Sequence, residues 1–395
     1  MSGRGSNPRF SLFLKHNFSP ENHQPIFRLY MNPEAPKTHS LLAKSNTSVA
    51  EETLAPEEIP KEYRELLRKA NLSPDELKEL GRLKIGRPLI DFLWTIVLMI
   101  ASPTLFALAP GFATGIICVL ITLHNFNRLA SLVHASDHGY LFTSLWANNL
   151  MGNLAAYLMG YTRAGHRLSH QLHHSQLNTE GDSDKVWGRP TDSSSSVAKK
   201  WLEDLFLISA IRRAMQYSQP DRKSYSVSPW ERFNLIYLIK AVRVQAPVIP
   251  VQLALMSLYW LIAGFYYYLV FHFLVLITLY PVLIRIRSTA EHSFPAGYRP
   301  LGNQLSWVTR STNANWFERF VVAPLDGHFH FEHHLFPGIP YYNLRQAHIL
   351  LKTKGFSVPM APGYLAYFFE KWKTEQQIVF TRQQNSVGGS DGGDR

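Results

Sequence analysis

The sequence predicts an all-α integral membrane protein: four transmembrane helices as two hairpins, with a cytoplasmic helical cap holding a histidine-rich dimetal site. Three observations carry that prediction. Two apolar blocks, residues 92–127 and 244–284, contain no Asp, Glu, Lys or Arg. Each is too long for a single span, since a bilayer core of about 30 Å is crossed by roughly 20 helical residues. Histidines cluster just outside both blocks at helical spacing.

Composition agrees. Aromatic residues make up 13% of the chain and charged residues only 17%, against about 25% charged in soluble domains. The net charge of +11 suits nucleic acid or an anionic membrane surface. The apolar blocks favour the membrane, and no nucleic-acid motif is present, so nucleic acid is not an expected partner. Cys118 is the single cysteine. That excludes disulfides, zinc fingers, cysteine-ligated iron–sulfur clusters and covalent haem attachment. Inside an apolar block, Cys118 reads as a small buried hydrophobe.

Taken in order, residues 1–55 are polar and rich in Pro, Ser and Asn, and read as a flexible extension. Residues 56–87 read as soluble or interfacial helices. Ser73-Pro74-Asp75-Glu76 is a capping box with proline at the first helical position, and Leu77, Leu80 and Leu83 follow at helical spacing. A membrane domain spans 88–350. Its first hairpin is 88–109 and 112–133, turned at Ala109-Pro110-Gly111. Residues 145–161 mix Trp, Tyr, Asn and Gly with apolar residues and read as a helix in the interface plane. An acidic stretch (Glu180, Asp182, Asp184), a Ser-rich loop at 191–196 and amphipathic segments at 201–215 and 230–242 follow. The second hairpin is 244–263 and 265–284, turned at Ala263-Gly264. Residues 351–395 form a C-terminal segment whose last dozen residues read as a disordered tail.

The blocks must be hairpins if the histidines act together. Were each a single span, His134 to His174 would face His330 to His334 across the membrane. With hairpins, every cluster returns to one side. Nearly all Lys and Arg fall outside the blocks, which puts both termini and the histidines on the cytoplasmic or stromal side.

His330, His333 and His334 form an HxxHH pattern, as do His170, His173 and His174; His134 and His138 have the i, i+4 spacing. On a helix such positions share a face, so the imidazoles of one box can point at one spot. With His292 the clustered histidines number nine. One four- to six-coordinate metal cannot use nine rings, but two can. Imidazole suits zinc, copper, iron and nickel. A structural zinc site has four ligands and favours cysteine, and calcium and magnesium want oxygen. Carboxylates usually orient metal-bound imidazoles, and the candidates are Asp137, Asp182, Glu291 and Glu332, with Glu180 and Asp184 also close in sequence. Arg287 is placed to pair with Glu291. His166 is read as a support or surface residue. His328 and His348 are not read as ligands, and His124 and His272 read as neutral histidines satisfied by neighbouring helices.

The set HASDH (134–138), HRLSHQLHH (166–174), EHSF (291–294) and HFHFEHHLFPGIPYYNL (328–344) resembles the membrane-bound, histidine-rich diiron oxygenases, and most of all the fatty acid desaturase branch. The resemblance covers about residues 85–350. It implies two iron ions held by the nine histidines, with His292 as the extra ligand between the last span and the final box. It implies that dioxygen and two supplied electrons remove hydrogens from an unactivated C–H bond of a lipid or acyl substrate in the membrane. The electrons would come from an external donor, a ferredoxin or a b-type cytochrome system. Hydroxylases and ketolases of carotenoids, alkanes or sphingolipids share the pattern, and the acidic stretch 179–184 is reminiscent of carotenoid ketolases. A metal-binding or regulatory protein without oxygenase activity is the reading from another class; the complete histidine set argues against it.

Overall fold

The computed structural model describes residues 61–179, 181–217, 239, 242–297 and 308–388. The expected N-terminal extension (1–55), Glu180, most of the segment 230–242 and residues 389–395 of the tail lie outside them. Helices α1 (Lys61–Ala70) and α2 (Pro74–Leu80) open the described chain. The capping box at α2 is reciprocal: the Glu76 N–H donates to Ser73 Oγ, and the Ser73 N–H donates to Glu76 Oε2.

The first apolar block forms α3 (Gly86–Leu108) and α4 (Phe112–Asp137), joined by residues 109–111 and packed along each other. α4 continues beyond the expected end at 133, so His134 lies in its last turn. No glycine or proline interrupts the chain between Gly115 and Asp137, and nothing stops the helix at the membrane edge. The second block forms α9 (Val248–Ala263) and α10 (Phe265–His292). Gly264 turns between them at φ 87°, a conformation open to glycine.

α3, α4 and α10 are long and apolar enough to cross a membrane. α9 is apolar but has only 16 residues, fewer than the expected 244–263. Pro247 is the reason: it lacks an N–H and biases Ala246 away from helix. α10 is longer than expected, running through the apolar stretch to His292 with a turn at Thr278 interrupting the regular helix. Residues Tyr268–Leu274 within it are π-helical, which no sequence pattern announces. α9 packs on α3, and α10 on α4. Phe126, Leu129, Leu132 and Val133 of α4 are almost fully buried, whereas Leu93, Trp94, Leu108 and Phe112 face outward.

Between the apolar pairs lie α5 (Leu145–Leu158), α6 (Arg163–Ser175), α7 (Ser194–Leu205) and α8 (Ile208–Tyr217). After them come α11 (Trp316–Val321), α12 (His330–Leu335), α13 (Leu344–Thr353) and α14 (Tyr364–Gly388). Ser311–Thr312 (β1) pairs in parallel with Met360–Ala361 (β2). α14 runs into the stretch expected to be tail, because no helix breaker precedes Gly388.

Buried polar contacts lock this cap onto the apolar helices. Asp91 of α3 meets Arg128 of α4 at 3.0 Å and accepts from the Tyr341 hydroxyl at 2.7 Å. Arg285 of α10 pairs with Asp204 of α7. Tyr63 of α1 donates to the Leu335 carbonyl at 2.9 Å. His124 Nδ1 lies 2.6 Å from the Phe320 carbonyl, so this histidine is satisfied by a neighbouring helix, as the sequence suggests.

Candidate metal centre

Four elements carry the histidines inward. The last turn of α4 supplies His134, and its C-cap is His138. α6 carries His170, His173 and His174, α10 ends on His292, and α12 carries His330, His333 and His334. α12 begins just after Leu325 and Asp326, at φ 57° and 56°. Two successive left-handed residues of this kind cost about 1–3 kcal/mol each, and such strain concentrates at functional sites.

The nine rings converge in two groups. His134, His138, His170, His174 and His333 form one; His173, His292, His330 and His334 form the other. Within each group the ligand atoms lie within 4.8 Å of one another. Neither HxxHH box serves a single spot. α6 sends His170 and His174 to the first group and His173 to the second, while α12 sends His333 to the first and His330 with His334 to the second. Helix geometry explains the split. Residues i and i+4 nearly coincide around the axis, whereas adjacent residues diverge by about 100°. Each box therefore feeds two neighbouring sites. The groups abut: the rings of His174 and His334 stack at 4.4 Å.

The inward nitrogens crowd together. His134 Nε2 lies 2.7 Å from His333 Nε2, His138 Nε2 2.7 Å from His170 Nε2, and His330 Nε2 2.7 Å from His292 Nε2. His173 Nε2 is 3.3 Å from His334 Nε2. Burial, reinforced by neighbouring rings and arginines, holds His138, His170, His174, His330, His333 and His334 well below their ordinary pKa, so they are neutral. Burial pushes His173 down too, but the charges of Asp184, Asp182 and Glu291 outweigh it and raise its pKa. A neutral imidazole that donates outward keeps a lone pair inward. Several such lone pairs facing one point favour a cation there. The all-nitrogen donor set fits a first-row transition metal in each group and not calcium or magnesium.

Carboxylates support part of the shell. His173 Nδ1 lies 2.9 Å from Asp182 Oδ1, and Asp182 is itself fixed by the N–H groups of Asn178 and Asp184. Glu291 Oε2 is 3.5 Å from His330 Nδ1. Arg287 donates to both Glu291 oxygens, and the Tyr364 hydroxyl donates to one at 3.1 Å. Two candidates behave otherwise. Asp137 meets His166 Nδ1 at 2.6 Å and Arg163 Nε at 2.9 Å, and His166 belongs to neither group. Glu332, fully buried, bonds Ser311 and His348 and none of the nine rings. It sits two residues after His330 and one before His333, so the helix turns it to the opposite face. It anchors the box to β1 and α13. Tyr364, Ser311 and His348 could not be found from sequence, since their partners lie 16 to 73 residues away. His328 is a buried neighbour whose pKa burial, with Arg319, Arg345 and Arg287, pushes down to about 3.

The family described as fatty acid desaturase matches residues 108–364. That stretch runs from the end of α3 to the first residue of α14 and contains all nine histidines. A search of curated proteins gives no match.

Proposed function

Because the chain belongs to the fatty acid desaturase family, we propose that it is a membrane enzyme that uses a histidine-held diiron centre, dioxygen and two electrons to place a double bond in a fatty acyl chain. The family's activity is oxidoreduction of the desaturase or hydroxylase type. The observation that carries the finer reading is the pair of all-imidazole groups gathered where α4 and α10 end.

One iron would be held by His134, His138, His170, His174 and His333, the other by His173, His292, His330 and His334. When bound, the metal supplies dioxygen activation, which no side chain can. The protein's own residues do the rest. The rings present neutral nitrogen donors. Asp182 and Glu291 fix ring orientation, and such outer partners are worth 10–100-fold in metal affinity. Burial of the groups keeps bulk water from the reacting carbons. In the overall reaction one dioxygen takes up four electrons and leaves as two waters. Two electrons come, with two hydrogens, from adjacent acyl carbons. Two come from an external ferredoxin or b-type cytochrome system, and two protons are taken up from the medium.

The membrane reading places α3, α4, α9 and α10 as four spans in two hairpins, with the termini and the centre on the cytoplasmic or stromal side. It is supported by α4 and α10 delivering their C-terminal ends to two abutting groups, one each, and by the distribution of Lys and Arg. At 16 residues, α9 is about 24 Å long and would cross where the bilayer thins locally. Asp182's bond to His173 gives that carboxylate a supporting role at the centre, a role that a desaturase and a ketolase can share. Expression in a host of defined lipid composition, followed by fatty-acid methyl-ester and pigment analysis, tests the choice. A new unsaturated acid is expected; an unchanged acyl profile with a new hydroxy or keto product would refute the desaturase reading.

A further inference from the structure

The apolar helices enclose a second polar feature, remote from the metal centre. A cavity of about 10 Å³ lies among α3, α4, α9 and α10, with Ser102, Thr122, Asn125, Tyr259 and His272 in its wall. A cavity of that size holds one water. Asn125 is 4% exposed and His272 2%. Asn125 Oδ1 and His272 Nε2 are both buried without a hydrogen-bond partner. The His272 ring also interacts with the Leu158 backbone. With its proton on the other ring nitrogen, neutral His272 presents Nε2 as an acceptor. Two buried acceptors thus line one cavity without a protein partner, inside a bundle where acyl tails can supply none.

The backbone points to the same place. His272 lies in the π-helical stretch Tyr268–Leu274, and π-bulges within helices often mark functional sites. Among the described residues no Asp or Glu lines the cavity, so the site suits a neutral donor and not a cation. Asn125 precedes His134 by nine residues, about 13 Å along α4, so the site is separate from the imidazole groups.

We propose that Asn125 and His272 form a binding site for one neutral hydrogen-bond donor of water size within the membrane bundle. The donor is a water molecule, whose two O–H groups serve the two acceptors; a lone hydroxyl carries one proton and would serve only one. Bound there, it bridges α4 to the π-turn of α10 and so ties together the two helices that carry His134 and His292.

The test is a high-resolution structure of the full-length protein in lipid nanodiscs and again after delipidation in detergent. The expected result is density within hydrogen-bond distance of both Asn125 Oδ1 and His272 Nε2. An isolated peak that survives delipidation supports the water site; density continuous with an acyl tail and lost on delipidation would overturn it. An empty cavity, or the two side chains turned to bond other protein groups, would overturn the site. Melting temperatures give a second reading. Asn125→Leu and His272→Phe should each lower it by leaving one acceptor unsatisfied, and the double variant should recover most of the loss. Losses that simply add in the double variant would overturn the proposal.

Discussion

At the scale of the residue, function rests on nitrogen lone pairs and on what turns them inward. His173→Ala and His333→Ala each remove a donor from a different group. Each is expected to abolish product formation and lower bound metal, as read by product analysis and metal content of the purified protein. Asp182→Asn is the subtler test. It keeps the shape but removes the charge that holds His173 Nδ1, so metal affinity should fall 10–100-fold with the fold intact. Unchanged affinity would mean that Asp182 only caps the 3₁₀ turn Ser183–Val186. The nine histidines were legible in sequence because their spacing is short-range and imidazole is chemically specific. Their division between two groups was not. HxxHH describes a face, and only the packing of α6 against α12 shows that one face meets two sites. Glu332 misled by adjacency, since proximity in sequence does not fix the direction of a side chain on a helix.

At the scale of the element, close approach of helices sets the geometry of the centre. Gly152 of α5 packs against α4 so tightly that an added Cβ would lie 2.1 Å from Ser136 Oγ and 2.7 Å from Arg163 Cδ. Gly152→Ala should therefore push α5 off α4, two residues from His134 and His138, and lower both melting temperature and metal retention. Gly264→Ala is the contrast. Its Cβ meets nothing within 4 Å, and only the backbone conformation, φ 87° and ψ 162°, resists it, so a loss of about 1–3 kcal/mol is expected with metal binding unchanged. Thermal unfolding in detergent distinguishes the two. The hairpin turns at 109–111 and at Gly264 were readable from glycine and proline. The short α9 was readable in principle from Pro247. The π-turn in α10 was not, because nothing in the residues Tyr268–Leu274 announces it.

At the scale of the whole molecule, the apolar helices and the buried cap act together through charge. The rings of His330, His333 and His334 are held below the ordinary imidazole pKa of about 6.5 by burial. The unfolded chain takes up protons near that pH while the folded chain does not. Stability is therefore present above pH 6.5 and is lost as pH falls below it. Protons and metal also compete for the same lone pairs, so acid should release metal and lower the melting temperature in the same window; a melting temperature flat from pH 7.5 to about 5 would contradict this. The measurement that goes most directly to the centre is the metal stoichiometry of the full-length protein purified from iron-replete cells. Two equivalents of iron per chain are predicted, falling on substitution of either His173 or His333. One equivalent, or none with activity retained, would contradict a dimetal centre built from these nine histidines.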